Sequence, residues 1–488
     1  MPEQQSAASQ ADTTMPSAAI AGCDLFLDGG IVITIDADRR VIADGAIAIR
    51  ADRIVAVGSR RDLAGLKEGA SRIVDTTGKV IIPGLTDGHT HLFQTLGRGL
   101  GDGLSLVPWL RDFMFPYARS MTRDVAVAGV RLGALQAALS GTTMVVDNHY
   151  APTDTETTLA VADAIDSVGI RGAVARGIFG ETNPGADLMG VDPELFQWTA
   201  EQELAITAEC IAELNGGAGR VSVWPAPENI VYVTPDLIAA SAQMAADSGV
   251  HWHMHCSEAA AEVEFFETLH AVRPVAWLES EGLLSDRTTL AHAIWLDADE
   301  VDLMGSRAAT AVHNPVSNQY LASGVLKLRG LQGAGANVAL GSDGIAVAGQ
   351  DMFEAMKAGT LMHRVADLDS TATTVEQFLE LAALGGAAMT GLDGGAVVAD
   401  GLADIVVLNV DTVRHAPWNR PVASIVHSGR SDDVEMVVVG GEIIVEEGAS
   451  TRIDQEEVIA KAQEATAELF GQANLERLTR DWQTADET

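Results

Sequence analysis

The feature that most constrains this chain is a repeating alternation between about Pro83 and Val398. Short apolar runs are each followed by a longer Ala-rich stretch. TTMVVD (142–147) precedes TLAVADAI, VSVWPAP (221–227) precedes LIAASAQMAAD, and VHWHMH (250–255) precedes AAAEVEFFETLH. GAVARG, TTLAHA, TAVHNP and NVALGSDG continue the series. Runs of this length read as buried strands, and the longer stretches between them as helices. Repeated strand–helix units predict a parallel α/β architecture. About eight units fit, so the expectation is a closed (β/α)8 TIM-type barrel over 83–398, with its chemistry where strands end and loops begin.

The two ends differ from this middle. DLFLDGGIVITID, AIAIRADRIVAVG and KVIIPG carry short β-branched runs punctuated by Gly and Asp, and ADIVVLNV and VEMVVVGGEIIVEEG repeat that texture late in the chain. This predicts one small β-sandwich domain built from both ends, 23–82 plus 399–452. Residues 453–488 read as a C-terminal helix, and the polar Ser/Ala/Gln-rich residues 1–22 as a disordered tail with no secretory signal. No apolar run approaches the ~20 residues of a membrane span.

Charge narrows the partners. Acidic residues number 68 against 31 basic, a formal net charge of -37. Such a chain repels phosphate backbones and anionic lipids, so nucleic acid and membrane are excluded as partners and a small-molecule substrate is expected. The three cysteines, Cys23, Cys210 and Cys256, lie far apart. They suggest neither a disulfide framework nor a Cys-type zinc site, which fits a cytoplasmic protein.

Candidate chemistry begins at Asp87-Gly88-His89-Thr90-His91. Residues i and i+2 of a strand point the same way, so His89 and His91 can present two imidazoles to one point. In His251-Trp252-His253-Met254-His255-Cys256-Ser257-Glu258, alternation places three histidines on one face. His255 reads as the ligand and His251 and His253 as hydrogen-bonded interior residues beneath it. Glu258 stands just above, where a carboxylate can shuttle a proton. His292, His313 and Asp343 follow at later strand ends. Each alone is weak, but their order along successive strands is not.

The segments PGLTDGHTHLFQTLGRGL, WHMHCSE, LAHAIWLDADE, HNPVSNQYLASG and LGSDG, with the closing GLADIVVLNV and VVVGGEIIVEEG, resemble the amidohydrolase superfamily. The resemblance is to the branch of adenosylhomocysteine/methylthioadenosine deaminases and triazine chlorohydrolases, and it runs from about residue 24 to the end. It implies His89, His91, His255 and Asp343 as metal ligands, Glu258 as proton shuttle, and His292 as the group that hydrogen-bonds substrate or activated water, with Asp343 orienting that water. The lysines are Lys67, Lys79, Lys327, Lys357 and Lys461. None falls on a middle strand, where some relatives bridge two metals with a carbamylated lysine. One divalent metal per chain is therefore expected, zinc first, with Fe2+, Co2+ or Mn2+ as alternatives.

The resemblance implies hydrolytic deamination of an amino-substituted heteroaromatic ring by a homo-oligomer, a dimer or tetramer. The same centre could instead cleave an amide, urea, carbamate or thiocarbamate bond, or an aryl chloride; a non-catalytic scaffold is the remote alternative. Phe93, Trp109, Tyr117, Glu228 and Asn318 are the candidate substrate-binding residues. Ala118 stands where nucleoside deaminases of this branch place a ribose-binding Glu, and Trp224-Pro225-Ala226-Pro227 lacks their Pro-His. Both departures predict a flatter, less polar substrate than adenosine.

Overall fold

The computed structural model describes residues 22–475 and 478, apart from 217, 218 and 348. All but one residue of the expected tail, 1–22, therefore lies outside the described residues.

Eight parallel strands form the centre: Leu85–His91, Thr142–His149, Arg171–Ile178, Val221–Pro227, Trp252–Cys256, Thr288–His292, Thr310–His313, and Asn337–Leu340 continued by Asp343–Gly344. We call them the first to the eighth. The first and second are buried at every position. This is the pattern of a parallel sheet covered on both faces, and it explains why the strands read as continuous apolar runs rather than alternating ones.

The strands pair in two arcs. One runs fourth–third–second–first and ends on Asp343–Gly344; the other runs fifth–sixth–seventh–eighth. A single parallel bridge, Asn229↔His255, links the ends of the fourth and fifth strands. The eighth strand breaks at Gly341-Ser342. Its first half pairs with the seventh strand and its second half with the first, Asp343 lying opposite Thr90. Gly341 is required at the break, because a Cβ there would lie 2.3 Å from Asn314 Oδ1 and 2.9 Å from the His89 carbonyl oxygen.

The intervening helices start where the sequence supplies caps. Thr122 accepts from the Val125 N–H and Asp154 from the Thr157 N–H, and Thr199 with Gln202 forms a capping box. Of the expected C-terminal helix over 453–488, the described residues show Gln455–Ala473, closed by Asn474 in the left-handed conformation, while 476, 477 and 479–488 lie outside the described residues.

Strands from both chain ends share a seven-stranded sheet, in which Val80–Pro83 pairs with Ile405–Leu408. A four-stranded sheet, Cys23–Asp28 to Ala70–Asp75, lies against it. Leu25, Leu27, Ile47 and Ile49 of the smaller sheet cluster with Ile81, Ile405, Val407 and Val438 of the larger.

One buried ion pair anchors the loops over the third strand. Arg176 is fully buried and sits 2.8 Å from Glu203. It also donates to the Thr153 carbonyl and the Thr207 hydroxyl, while Glu203 accepts from the Phe179 and Gly180 N–H groups. Removing one partner of such a pair strands the other charge and costs about 3–5 kcal/mol, whereas an apolar replacement of both costs far less. Glu203→Ala is therefore expected to lower the urea midpoint sharply, and Glu203→Leu with Arg176→Met to recover most of it. Equal midpoints for the single and double variants would contradict this assignment.

Candidate active site

The ends of the first, fifth, sixth and eighth strands converge on one point. Asp343 Oδ1 lies 3.2 Å from His89 Nε2 and 3.3 Å from His91 Nε2. His255 Nε2 is 3.3 Å from His91 Nε2. His292 Nε2 is 3.8 Å from Asp343 Oδ2 and 3.5 Å from Glu258 Oε2. Ser257, His292 and Asp343 all have positive φ, at 56°, 70° and 67°. These non-glycine residues in the left-handed region mark strand ends held in a strained turn by their surroundings.

Four buried groups fix Asp343. The Asp87 carboxylate accepts from the Ser342 N–H at 2.9 Å and the Ser342 hydroxyl at 2.5 Å, and from the Gln350 amide. Gln350 in turn accepts from the Thr90 hydroxyl. Burial pushes the Asp87 carboxyl up to about 7 against these donors.

The outer nitrogen of each imidazole decides what its inner nitrogen can do. His91 Nδ1 donates to the Asn148 carbonyl at 2.7 Å and His255 Nδ1 to the Glu228 carbonyl at 2.7 Å. A carbonyl can only accept, so both protons sit on Nδ1 and both Nε2 atoms carry lone pairs. His89 is set by a longer relay. The Thr289 hydroxyl donates to the Trp252 carbonyl and accepts from His253 Nδ1 at 2.6 Å. His253 Nε2 then accepts from His89 Nδ1 at 2.9 Å, leaving the His89 Nε2 lone pair facing inward. Among the described residues that buried nitrogen has no hydrogen-bond donor or acceptor other than Asp343 Oδ1, 3.2 Å away. Three lone pairs and a carboxylate thus face one another at little over 3 Å. A cation at their centre would satisfy this donor set, and three imidazoles with one carboxylate suit a divalent metal of the zinc type.

His292 is oriented the other way. The Asn318 and Asn314 side-chain amides donate to its Nδ1 at 3.1 and 3.4 Å, which puts the proton on Nε2, toward Glu258 and Asp343. By distance alone His89, His255, His292 and Asp343 form the compact cluster, their ligand atoms within 4.8 Å of one another. The tautomers argue instead for His91 as ligand and His292 as hydrogen-bond donor, and hydrogen bonding is the more discriminating criterion.

The local electrostatics agree. Burial pushes His292 down to about 3, holding it neutral. Burial and the neighbouring imidazoles hold His255 and His253 well below the ordinary value. His91 alone shifts up: burial opposes its charge, but the Asp343 carboxylate outweighs that. Asp343 is held well below the carboxylate range, since the surrounding imidazoles outweigh its burial. Glu258 is pushed well above the ordinary value by burial, then by the Asp343 and Glu262 charges. The Ser323 hydroxyl donates to it at 3.0 Å. A carboxyl that readily carries a proton beside the centre suits proton transfer.

A small cavity, ≈ 40 Å³, opens over these groups. Trp109 and Glu228, two of the candidate substrate-binding residues, lie on its wall. Phe93 and Tyr117 are not on its wall: the Tyr117 hydroxyl donates to the Phe93 carbonyl, and both rings pack in the core. Asn318 orients His292 instead of facing the cavity. Ala118 is buried and also off the wall, so the missing ribose ligand cannot be read from that position. Apolar side chains of Leu106, Leu110 and Leu321 form the wall with Trp109. His251 precedes its strand and packs on Trp224 rather than lying beneath the centre. His313 pairs with His363 at 3.1 Å, away from the centre.

Sequence reasoning passed over Gln94, Tyr150 and Glu262. Glu262 accepts from the Glu258 and Ala259 N–H groups and so aims Glu258. Its position three residues after the helix N-cap is a capping signal that could have revealed it.

A strand-end cluster of three metal-ready imidazoles, an Asp and a protonatable Glu, on a parallel α/β core, defines a metal-centred hydrolase. The chain matches the amidohydrolase family over residues 80–444. It is 31% identical over 452 residues to a 5-methylthioadenosine/S-adenosylhomocysteine deaminase of Nitratidesulfovibrio vulgaris, covering 91% of this chain and 96% of that one. It is 34% identical over 437 residues to a 5'-deoxyadenosine deaminase of Methanothermobacter thermautotrophicus, covering 89% and 97%. An adenosine deaminase from Xanthomonas campestris with bound zinc superposes with a TM-score of 0.85 at 25% identity, covering 92% and 99%. An atrazine chlorohydrolase from Arthrobacter aurescens complexed with zinc gives 0.84 at 26%, covering 91% and 100%. The chain belongs to the amidohydrolase family and is a metal-dependent hydrolase acting on carbon–nitrogen bonds other than peptide bonds. No helix among the described residues is long and apolar enough to cross a membrane.

The relay to His89 gives a direct test. His253→Phe keeps the buried volume but removes the acceptor for His89 Nδ1–H. Outer hydrogen bonds of this kind are worth roughly 10–100-fold in metal affinity. Zinc affinity measured by chelator competition is expected to fall by that factor; unchanged affinity would contradict the relay.

Proposed function

We propose that this chain deaminates a flat amino-substituted heteroaromatic ring, using one zinc ion held by His89, His91, His255 and Asp343. The observation that carries the reading is the set of three imidazoles with protons tied outward and lone pairs turned toward Asp343. The fold proposed with it is a closed (β/α)8 barrel over 83–398. The bridge Asn229↔His255 and the two-sided eighth strand support it. A β-sandwich of 23–82 and 399–452 would pack beside it. A cytoplasmic dimer or tetramer is proposed as its setting, and the three free, buried cysteines fit a reducing compartment.

A bound divalent metal supplies acidification of a water molecule, lowering its pKa toward about 7. The protein does the rest. Asp343, fixed through Ser342 and Asp87, orients the attacking water, and Glu258 takes its proton. His292, with its proton on Nε2, donates to the charge that develops on the ring. Glu258 then returns the proton to the leaving nitrogen. No lysine lies on the middle strands, so a carbamylated bridge for a second metal has no residue to form from.

A second reading keeps the centre and changes the bond to an amide, urea, carbamate or thiocarbamate, or to an aryl chloride. The apolar wall of Leu106, Leu110 and Leu321 and the likeness to an atrazine chlorohydrolase favour it.

Glu258→Gln is expected to keep its metal and fold while losing about 10²–10⁴-fold in turnover, the usual worth of a general acid–base group. Near-normal turnover would mean that the proton moves by another route. Comparing kcat/KM for adenosine, methylthioadenosine and adenosylhomocysteine with aminotriazines and aryl ureas separates the substrate classes. Leu106, Leu110 and Leu321 give ribose hydroxyls no partner, and burying them unpaired costs roughly 1–3 kcal/mol each, so a ring lacking ribose is expected to be best unless Glu228 accepts from those hydroxyls. A nucleoside as best substrate would overturn that preference and leave the metal centre standing.

A further inference from the structure

We infer that the cavity selects a neutral or cationic ring rich in N–H donors and rejects substrates that carry a fixed negative charge, with Glu228 as the specificity-determining residue. This rests on the reading of the cavity as the substrate site. Its described lining includes Glu228, Glu258, Glu262 and Asp343 but neither Lys nor Arg. Arg176, behind the third strand, is neutralised by Glu203. Apart from a bound metal, the wall therefore offers no fixed cation to an anionic substituent.

The carboxyls differ in what they still need. Glu262 is satisfied by Asn229 and by two backbone N–H groups. Glu258 and Asp343 belong to the reaction. Glu228 is held by no backbone donor: its carboxyl faces the Asn148 side chain, and burial pushes it up to about 8. It follows the fourth strand, with Oε1 3.6 Å from His255 Nδ1, and its buried Oε2 meets no donor within hydrogen-bond distance among the described residues. Gly177 makes room for Tyr150, whose Cβ would lie 2.5 Å from an added Cβ, and lets Glu228 Oε2 approach to 3.2 Å of the same point. A second unpartnered acceptor, Gln94 Oε1, lies on the same lining, while the Gln94 amide donates to the Tyr150 hydroxyl. Buried acceptors without donors are costly until something supplies the missing N–H groups. An aminated ring, with adjacent ring and exocyclic N–H groups, is such a partner. A carboxylate or phosphate in the same place would meet further acceptors and lose its hydration uncompensated.

The test uses one ring with three arms: diaminotriazines bearing N-ethyl, N-(2-aminoethyl) or N-(2-sulfoethyl) groups, the sulfonate being a poor metal ligand. Dissociation constants are measured calorimetrically on zinc-loaded Glu258→Gln protein, and turnover on the wild type. Sites built to hydrogen-bond a substrate discriminate by roughly 10⁴–10⁵-fold. The sulfonate is expected to bind at least about 100-fold more weakly than the ethyl compound, and the ammonium at least as tightly. Glu228→Gln in the otherwise wild-type enzyme should raise KM about tenfold for the ethyl compound with kcat little changed. A sulfonate that binds as well as the ethyl compound, or a Glu228→Gln effect confined to kcat, would overturn the inference. Absence of turnover with the binding order intact would instead sink the deaminase reading and leave the selectivity standing.

Discussion

A neutral imidazole carries one proton on one of two nitrogens, and the partner of one nitrogen dictates the use of the other. Everything at the centre of this protein depends on that constraint. Two backbone carbonyls and one threonine-led relay tie the protons of His91, His255 and His89 outward. Two asparagines do the opposite to His292. Four histidines gathered around Asp343 are thereby divided into three that can bind a cation and one that can donate a hydrogen bond. Distance gives no such division, and burial keeps the arrangement from relaxing by protonation at His255, His253 and His292.

The fold serves this division by delivering each partner from a different strand. Asn148 ends the second strand, Glu228 follows the fourth, Thr289 lies in the sixth, and Asn314 and Asn318 flank the start of the helix after the seventh. The break at Gly341-Ser342 lets the eighth strand serve both arcs and turns Asp343 inward, with Asp87 holding the turn. Ser257, His292, Ala293 and Asp343 take positive φ at these strand ends, where surrounding hydrogen bonds determine the conformation.

What the sequence disclosed followed from local periodicity. His89 and His91 were legible because i and i+2 of a strand share a face, and His255 because it closes a strand just before a carboxylate. The alternation of strands and helices was legible because both faces of each parallel strand are buried. Partners brought together by topology were not legible. His253 meets His89 across 164 positions and Thr289 across 36, and no spacing rule encodes either contact. Aromatic residues misled for a related reason. Phe93, Trp109 and Tyr117 share a texture, but the Tyr117 hydroxyl is satisfied within the core, and only Trp109 reaches the cavity. Ala118 misled likewise, since absence of a side chain says nothing about whether the position faces the substrate.

The central claim is that tautomers, not proximity, choose the ligands. Anomalous diffraction from crystals of the zinc-loaded protein tests it most directly. The account predicts one zinc peak, at about 2.0–2.2 Å from the Nε2 atoms of His89, His91 and His255 and from the Asp343 carboxylate, with His292 outside ligand distance. Two peaks about 3.5–4 Å apart, the spacing of a two-metal site, or one peak bound by His292 in place of His91, would contradict it.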